Sequence, residues 1–278
     1  WPKCFGMWIP PTSLDQLPVN YQEIFGSKLK GEVEFNVVKT WIEYVNRLLG
    51  VLVGFFIFLT LVFSYKAYFK SQRSIFFLSL SAFVLVLFEG WLGAKVVSSE
   101  LLPGMITIHM FGAVVILGVL VFAILKTYFI EGFISTLNNT QDIRFLIIIS
   151  ILFSVGQIVF GTQIREGIDL AQQTLGYQNR HLWINSVLGK VNFHALLGLV
   201  VLFLQVFVNF KIGSRFKGKP ISSFANFTSF FIVLSILTGV VLRYFGFPAF
   251  AQPLHLTLGI VILTFQFVIL FLTKPQIA

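Results

Sequence analysis

What this sequence has least of is charge. Asp, Glu, Lys and Arg make up 11% of its 278 residues, against about 25% in soluble domains, and that shortage excludes a water-soluble globular chain. Cysteine is nearly absent too: Cys4 stands alone, so no disulfide closes within the sequence. Histidine occupies four positions, and no cluster of Cys or carboxylates completes a small-ion site around them, which argues against zinc or copper. What is abundant is apolar surface, with 56% hydrophobic residues, 34 Phe and a mean hydropathy of +0.88. The net charge of +9 is no sign of a nucleic-acid partner. Most Lys and Arg fall in short links between apolar runs, as the positive-inside rule expects.

A bilayer crossing needs roughly 20 apolar residues. Seven such runs are found, at 37–65, 74–97, 104–129, 144–165, 183–210, 222–244 and 252–273. The third and seventh follow Pro103 and Pro253, residues suited to helix starts. Lys66, Lys70 and Arg73 lie in one link, Lys126 and Arg144 flank another, and Lys211, Arg215, Lys217 and Lys219 crowd a third. The links at 98–103, 166–182 and 245–251 are mixed in charge. Positive-inside counting therefore places the Lys-rich links and the C-terminus in the cytoplasm. The segment 1–36 then lies outside, and Cys4 sits in an oxidising compartment if the membrane is a bacterial plasma membrane.

The runs are not independent. "GAKVVSSELLPGMITIH", Gly93 to His109, and "GVVLRYFGFPAFAQPLH", Gly239 to His255, both place Gly and His sixteen residues apart, at a shift of 146. "NRLLGVLV" from Asn46 matches "HALLGLVV" from His194 at a shift of 148. Two matches in the same order at nearly one shift indicate an internal duplication. The expected fold is an all-α integral membrane protein of two tandem four-helix bundles, an N-terminal half at 1–130 and a C-terminal half at 144–275. The span at 144–165 has no mate in the first half. The duplication therefore expects eight spans, with the missing first helix immediately upstream of Trp1.

His181 lies in a polar outer link beside Arg180 and reads as a solvated loop residue. His109, His194 and His255 lie inside apolar spans, where ionisable groups are costly and mark function by default. His194 and His255 fall on the second and fourth helices of the C-terminal half. Facing each other across a bundle, they could ligate one haem iron axially; the alternative is a pair of hydrogen-bonded core histidines. His109 takes the place of His255 in the first half, but Asn46 stands where a second His would be. Glu43 shares a helix face with Asn46. It is either a proton-handling carboxylate beside a cofactor or an ion-pair partner of Arg47 at the i, i+4 spacing. Arg165 and Arg243 each follow a Gly by four residues at the outer end of a span. They suit haem propionates or snorkel to the interface. Gly50 and Gly54 in "GVLVG" allow close helix packing.

With these elements in place, the chain resembles the haem A synthase family of cytochrome oxidase assembly over essentially its whole length. The resemblance rests on "WPKCFG" followed by "PP", "EYVNR", "IH" at 109, "GTQIRE", "FH" at 194 and "LH" at 255, in this order. It implies eight helices in two similar halves and an oxidoreductase that converts the haem O ring methyl to a formyl group by oxygen-dependent hydroxylations. By the same resemblance His194 and His255 would hold a haem b as electron relay. Haem O would sit near His109 as substrate, with Asn46, Arg47, Arg165 and Arg243 as further haem-binding residues. Glu43 matches the family's catalytic glutamate, and Cys4 matches one cysteine of a pair whose partner would lie just upstream of Trp1. Implied partners are haem O, molecular oxygen, a haem O synthase, an electron donor and the lipid bilayer; an oligomer is compatible with all of this. The haem sites would lie toward the outer face.

The departure is Asn46, where the family pattern has His. It leaves one competing class open, a non-catalytic haem-binding or electron-transfer protein. A transporter built on the repeat ranks last, because no span is broken at mid-membrane by a Gly/Pro pair. Asn46→His is expected to change the optical spectrum of the haem in the N-terminal half; an unchanged spectrum would place position 46 away from the iron.

Overall fold

A computed structural model describes residues 3–25, 35–99, 104–248 and 250–274. Seven long helices carry the chain: α1 (Val37–Tyr68), α2 (Arg73–Ser98), α3 (Met105–Ile130), α4 (Gln141–Leu175), α5 (Leu188–Arg215), α6 (Pro220–Tyr244) and α7 (Ala251–Leu272). Each is long and apolar enough to cross a membrane. Among the described residues there is no strand, and a single backbone bridge joins Cys4 to Met7. Helices dominate because hydrocarbon offers no partner for a backbone N–H or C=O, and a helix satisfies both internally.

Local chemistry sets the helix ends. Asn36 caps α1, its side-chain oxygen accepting from the Lys39 amide at 3.0 Å, the usual N-cap geometry. Pro220 stands at the first position of α6, where its missing N–H costs nothing. Pro253, expected just before the seventh helix, lies instead within its first turn, because α7 already begins at Ala251. Pro103 lies outside the described residues.

The largest difference from expectation is at α4. The sequence ends that span at 165 and gives 166–182 to an outer link. The helix instead runs on to Leu175 and is followed by a 3₁₀ segment, Tyr177–Val187. The reason is a narrow apolar stripe on a polar stretch: Ile164, Ile168 and Ala171, at i, i+4 and i+7, pack against Trp183, Val187 and Phe247. Gly176 ends the helix at φ +72°, a conformation that suits glycine, and its carbonyl accepts from the Trp183 indole at 3.2 Å.

The chain forms two compact units, Trp1–His109 and Met110–Ala278. In the second, α4 packs on α5, α5 on α6, α6 on α7 and α7 on α4, a closed four-helix ring. One end is filled by residues from all four helices, among them Ile147, Val208, Ile221 and Ile269. There a fork of Arg215 holds both carboxylate oxygens of Asp142 at 2.8 and 2.6 Å, with Lys211 at 3.3 Å. Val201, Ile232 and Ile262 fill the middle. Two fully buried glutamines cross between helices: Gln266 donates to the Ser150 hydroxyl at 3.0 Å and Gln205 to the Ala225 carbonyl at 3.2 Å. Such polar contacts matter here because lipid is as apolar as the side chains, so burial alone does not drive the helices together.

Most of α3 belongs to this second unit, Phe122 and Phe129 lying edge-on to Phe271 of α7. The packing thus divides inside α3. In the first unit α1 packs beside α2, with Ile57 and Ser64 buried, Phe58 against Phe83 and Tyr65 against Phe76. Gly50 and Gly54 do not serve close packing as the sequence suggested. A Cβ at either meets nothing within 4 Å, because the contact with α2 is made further along. The outer segment touches the head of α1, the Trp41 indole donating to the Pro11 carbonyl at 3.2 Å.

Ile168 is 1% exposed, so Ile168→Ala is expected to destabilise the C-terminal end of α4 by about 2–5 kcal/mol. Thermal unfolding in detergent and tryptic cleavage at Arg165 and Arg180 report it, and Ile168→Val should cost about 1 kcal/mol.

Candidate functional site

His194 is the seventh residue of α5 and His255 the fifth of α7. These helices are not neighbours in the ring, so the two imidazoles approach across its diagonal. Their ring centres are 6.1 Å apart and their planes inclined by 61°. Both lie between the middle cluster and that of Ile168 and Trp183, near the end opposite the Asp142 clamp. Glycines make the room: a Cβ on Gly161 of α4 would stand 3.7 Å from the His194 ring, and one on Gly239 of α6 would stand 3.4 Å from the His255 ring.

The two rings are held differently. Nδ1 of His255 lies 3.0 Å from the Ser235 carbonyl and 2.9 Å from the Thr238 hydroxyl oxygen. That hydroxyl donates its own proton to the Ser235 carbonyl at 2.8 Å, so toward His255 it accepts. Nδ1 therefore carries the proton, a tautomer assigned from its neighbours, and Nε2 keeps its lone pair for a ligand. Around His194, Gln157 donates to the backbone carbonyl at 2.9 Å. The ring's Nδ1 is buried and has no hydrogen-bond partner among the described residues. An unmet buried polar group costs about 1–3 kcal/mol.

The first unit carries a related arrangement. His109, the fifth residue of α3, sets Nδ1 2.7 Å from Oε1 of Glu89 on α2, a close ion-pair contact that lies outside hydrogen-bond geometry. A Cβ on Gly93 would come within 3.1 Å of the His109 ring. The Gly–His pairs read from the duplication are therefore physical contacts, one in each unit. Glu89 is the residue that sequence reasoning missed. It is 8% exposed, and the available signal was a carboxylate inside an apolar run.

At the head of α1 the ion-pair alternative is realised, Arg47 bonding the Glu43 carboxylate. Arg47 also reaches the Cys4 sulfur at 3.6 Å. Asn46 is exposed and has no hydrogen-bond partner among the described residues. Arg165 lies inside α4 rather than at a helix end; its Nε donates to both Asp169 oxygens at 2.9 Å, and its Nη1 donates to Gln252. Arg243, in the last turn of α6, stacks 5.3 Å over the Tyr244 ring. His181 is exposed on the 3₁₀ segment. Among the described residues no group of three or more His, Cys, Asp or Glu gathers as a metal-ion site.

Fold and site together define a class, a polytopic helical membrane protein with imidazoles opposed inside a four-helix ring. Within it, residues 1–267 match the family COX15-CtaA, cytochrome oxidase assembly protein, and the chain belongs to that family. It is 27% identical over 165 residues to the heme A synthase of Shewanella oneidensis. That match covers 58% of this chain and 46% of the relative, so the matched stretch spans about half the length of the curated protein. No solved structure matches the chain.

Proposed function

We propose that the protein is a haem A synthase-like membrane oxidoreductase of cytochrome oxidase assembly. In this reading it oxidises the haem O ring methyl to a formyl group with molecular oxygen, and a haem b in the second unit relays electrons. The observation that carries the reading is the opposed pair His194 and His255. Two imidazoles on one iron have centres roughly 6 Å apart, taking about 2.0 Å for each metal–nitrogen bond and about 1.1 Å from nitrogen to ring centre; theirs are 6.1 Å apart. The tautomer of His255 and the unpartnered Nδ1 of His194 also fit a bound haem.

In this reading His194 and His255 hold the haem b iron, which supplies the one-electron chemistry when bound. Ser235 and Thr238 keep the His255 lone pair aimed inward, a second-shell role of the usual kind. His109 holds the substrate haem O, with Gly93 leaving the imidazole its place. Glu43 is the carboxylate available to take or return a proton, and Arg47 holds it in position. Arg165 and Arg243 are cations near the same outer ends, Arg165 already engaged by Asp169. The sites face the outer side of a bacterial plasma membrane, on the strength of the Lys-rich links at the other ends. Haem O synthase and an electron donor are the partners this chemistry requires.

One observation favours a second reading, a haem-binding protein without conversion: Asn46, exposed and unpartnered, stands where the family pattern has His. The protein expressed beside a haem O supply separates the two. Extracted haems resolved by reverse-phase chromatography and mass detection should include haem A or its hydroxylated intermediate, absent from a Glu43→Ala control. Haem B with unchanged haem O would establish the second reading instead. Independently, His194→Ala and His255→Ala should each lower bound b-type haem at least tenfold, in line with the roughly 10–100-fold effects of second-shell loss, and abolish its low-spin spectrum. Retention of both would remove the two histidines from the iron.

A further inference from the structure

The duplication sets up a comparison that neither unit shows alone. At the shift of 146, His109 corresponds to His255 and Gly93 to Gly239, and these pairs make the same contact. At the same shift Glu89 corresponds to Ser235 and Leu92 to Thr238. Ser235 and Thr238 supply the oxygens around Nδ1 of His255, and both are neutral. In the first unit the hydroxyl of Thr238 has become the apolar Leu92, and the oxygen facing Nδ1 of His109 belongs to the Glu89 carboxylate at 2.7 Å. The Gly–His contact is kept, and a carboxyl group stands where the second unit offers only neutral oxygens.

We propose that Glu89 is the positioning residue of His109: its carboxylate orients the ring through Nδ1, turns Nε2 toward iron, and makes this histidine a stronger donor than His255. The inference rests on the reading that His109 ligates a haem iron. A carboxylate behind a ligating imidazole raises the basicity of the ligand. A negative charge one ring away also favours the more positive oxidation state of the metal, and it does so strongly in a low-dielectric interior. The iron bound at His109 is therefore held toward the ferric state relative to the iron held by neutral-partnered histidines. Glu89 does this through His109, without touching substrate. A carboxylate buried in a membrane span is costly, and this site gives it a partner whose strength it sets.

The test is a spectroelectrochemical titration of the detergent-purified protein reconstituted with haemin. The wave lost in His109→Ala belongs to the first unit, and the wave lost in His194→Ala to the second. Glu89→Gln, which still offers Nδ1 a hydrogen-bonding group, is read at saturating haemin so that both waves are present. It should move the first-unit wave positive by at least a tenfold change in the reduced-to-oxidised ratio, 59 mV for a one-electron couple, and leave the second wave in place. Glu89→Asp, which keeps the charge, should move it by less than a third of that. An unmoved first-unit wave in Glu89→Gln overturns the inference while leaving His109 as ligand. If His109→Ala removes no wave, it is the ligand reading that fails. Should Glu89→Gln not accumulate, Glu89→Ser, which places the second unit's residue here, takes its role. The wild-type protein offers a measurement without substitution: the ferrous iron–histidine stretch of the first unit must lie above that of the same haem carrying free imidazole. Equal frequencies overturn the proposal.

Discussion

An imidazole in the interior of a membrane helix bundle needs a side-chain-sized gap on the neighbouring helix and an oxygen for Nδ1, and hydrocarbon supplies neither. In the second unit Gly239 opens the gap and the Ser235 carbonyl and Thr238 hydroxyl supply the oxygens, all within about one turn of α6. Much else follows from meeting that requirement. The ring must close around α5 and α7 so that His194 and His255 meet across its diagonal. The cluster of Ile164, Ile168, Trp183 and Phe247 covers that end, since α4 would otherwise leave an apolar stripe unpacked. The first unit meets the same requirement with the same Gly–His contact and a different oxygen.

The sequence disclosed the parts of this arrangement that leave a periodic or duplicated mark. Long apolar runs located all seven helices, because crossing hydrocarbon fixes their length. The sixteen-residue Gly–His interval located both histidine contacts, because the glycine and the imidazole it accommodates were kept together in both copies. What was hidden had no such mark. The outer extension of α4 depends on Ile164, Ile168 and Ala171 in an otherwise polar stretch, too thin a signal beside Arg165, Glu166 and Asp169. Glu89 was hidden for a different reason. It occupies a position where the two copies disagree, and a search for identity passes over it. Arg165 was read as a partner of haem propionates or an interface cation, although Asp169, four residues on, was already placed to engage it.

The head of α1 shows where pattern and structure part company. Glu43 and Arg47 have the spacing of an ion pair and make one, and Arg47 also ties the Cys4 segment to the helix. Asn46, between them, neither bonds nor packs. A substitution at position 46 accordingly costs the fold little.

Gln205 and Gln266 carry a consequence of another kind. Each stands eleven residues after a histidine, Gln205 after His194 and Gln266 after His255. Eleven residues at 3.6 per turn is three turns with about 20° left over, so amide and imidazole share one face of their helix. A helix surrounded by lipid and Leu-like side chains has little to prevent it from rolling about its own axis. The bonds from Gln205 to Ala225 and from Gln266 to Ser150 index that rotation. Three turns away, the indexing leaves both imidazoles no direction except toward each other. The glutamines are keys cut into the shafts of α5 and α7, and the aim of the histidines is set from the far end of the bundle.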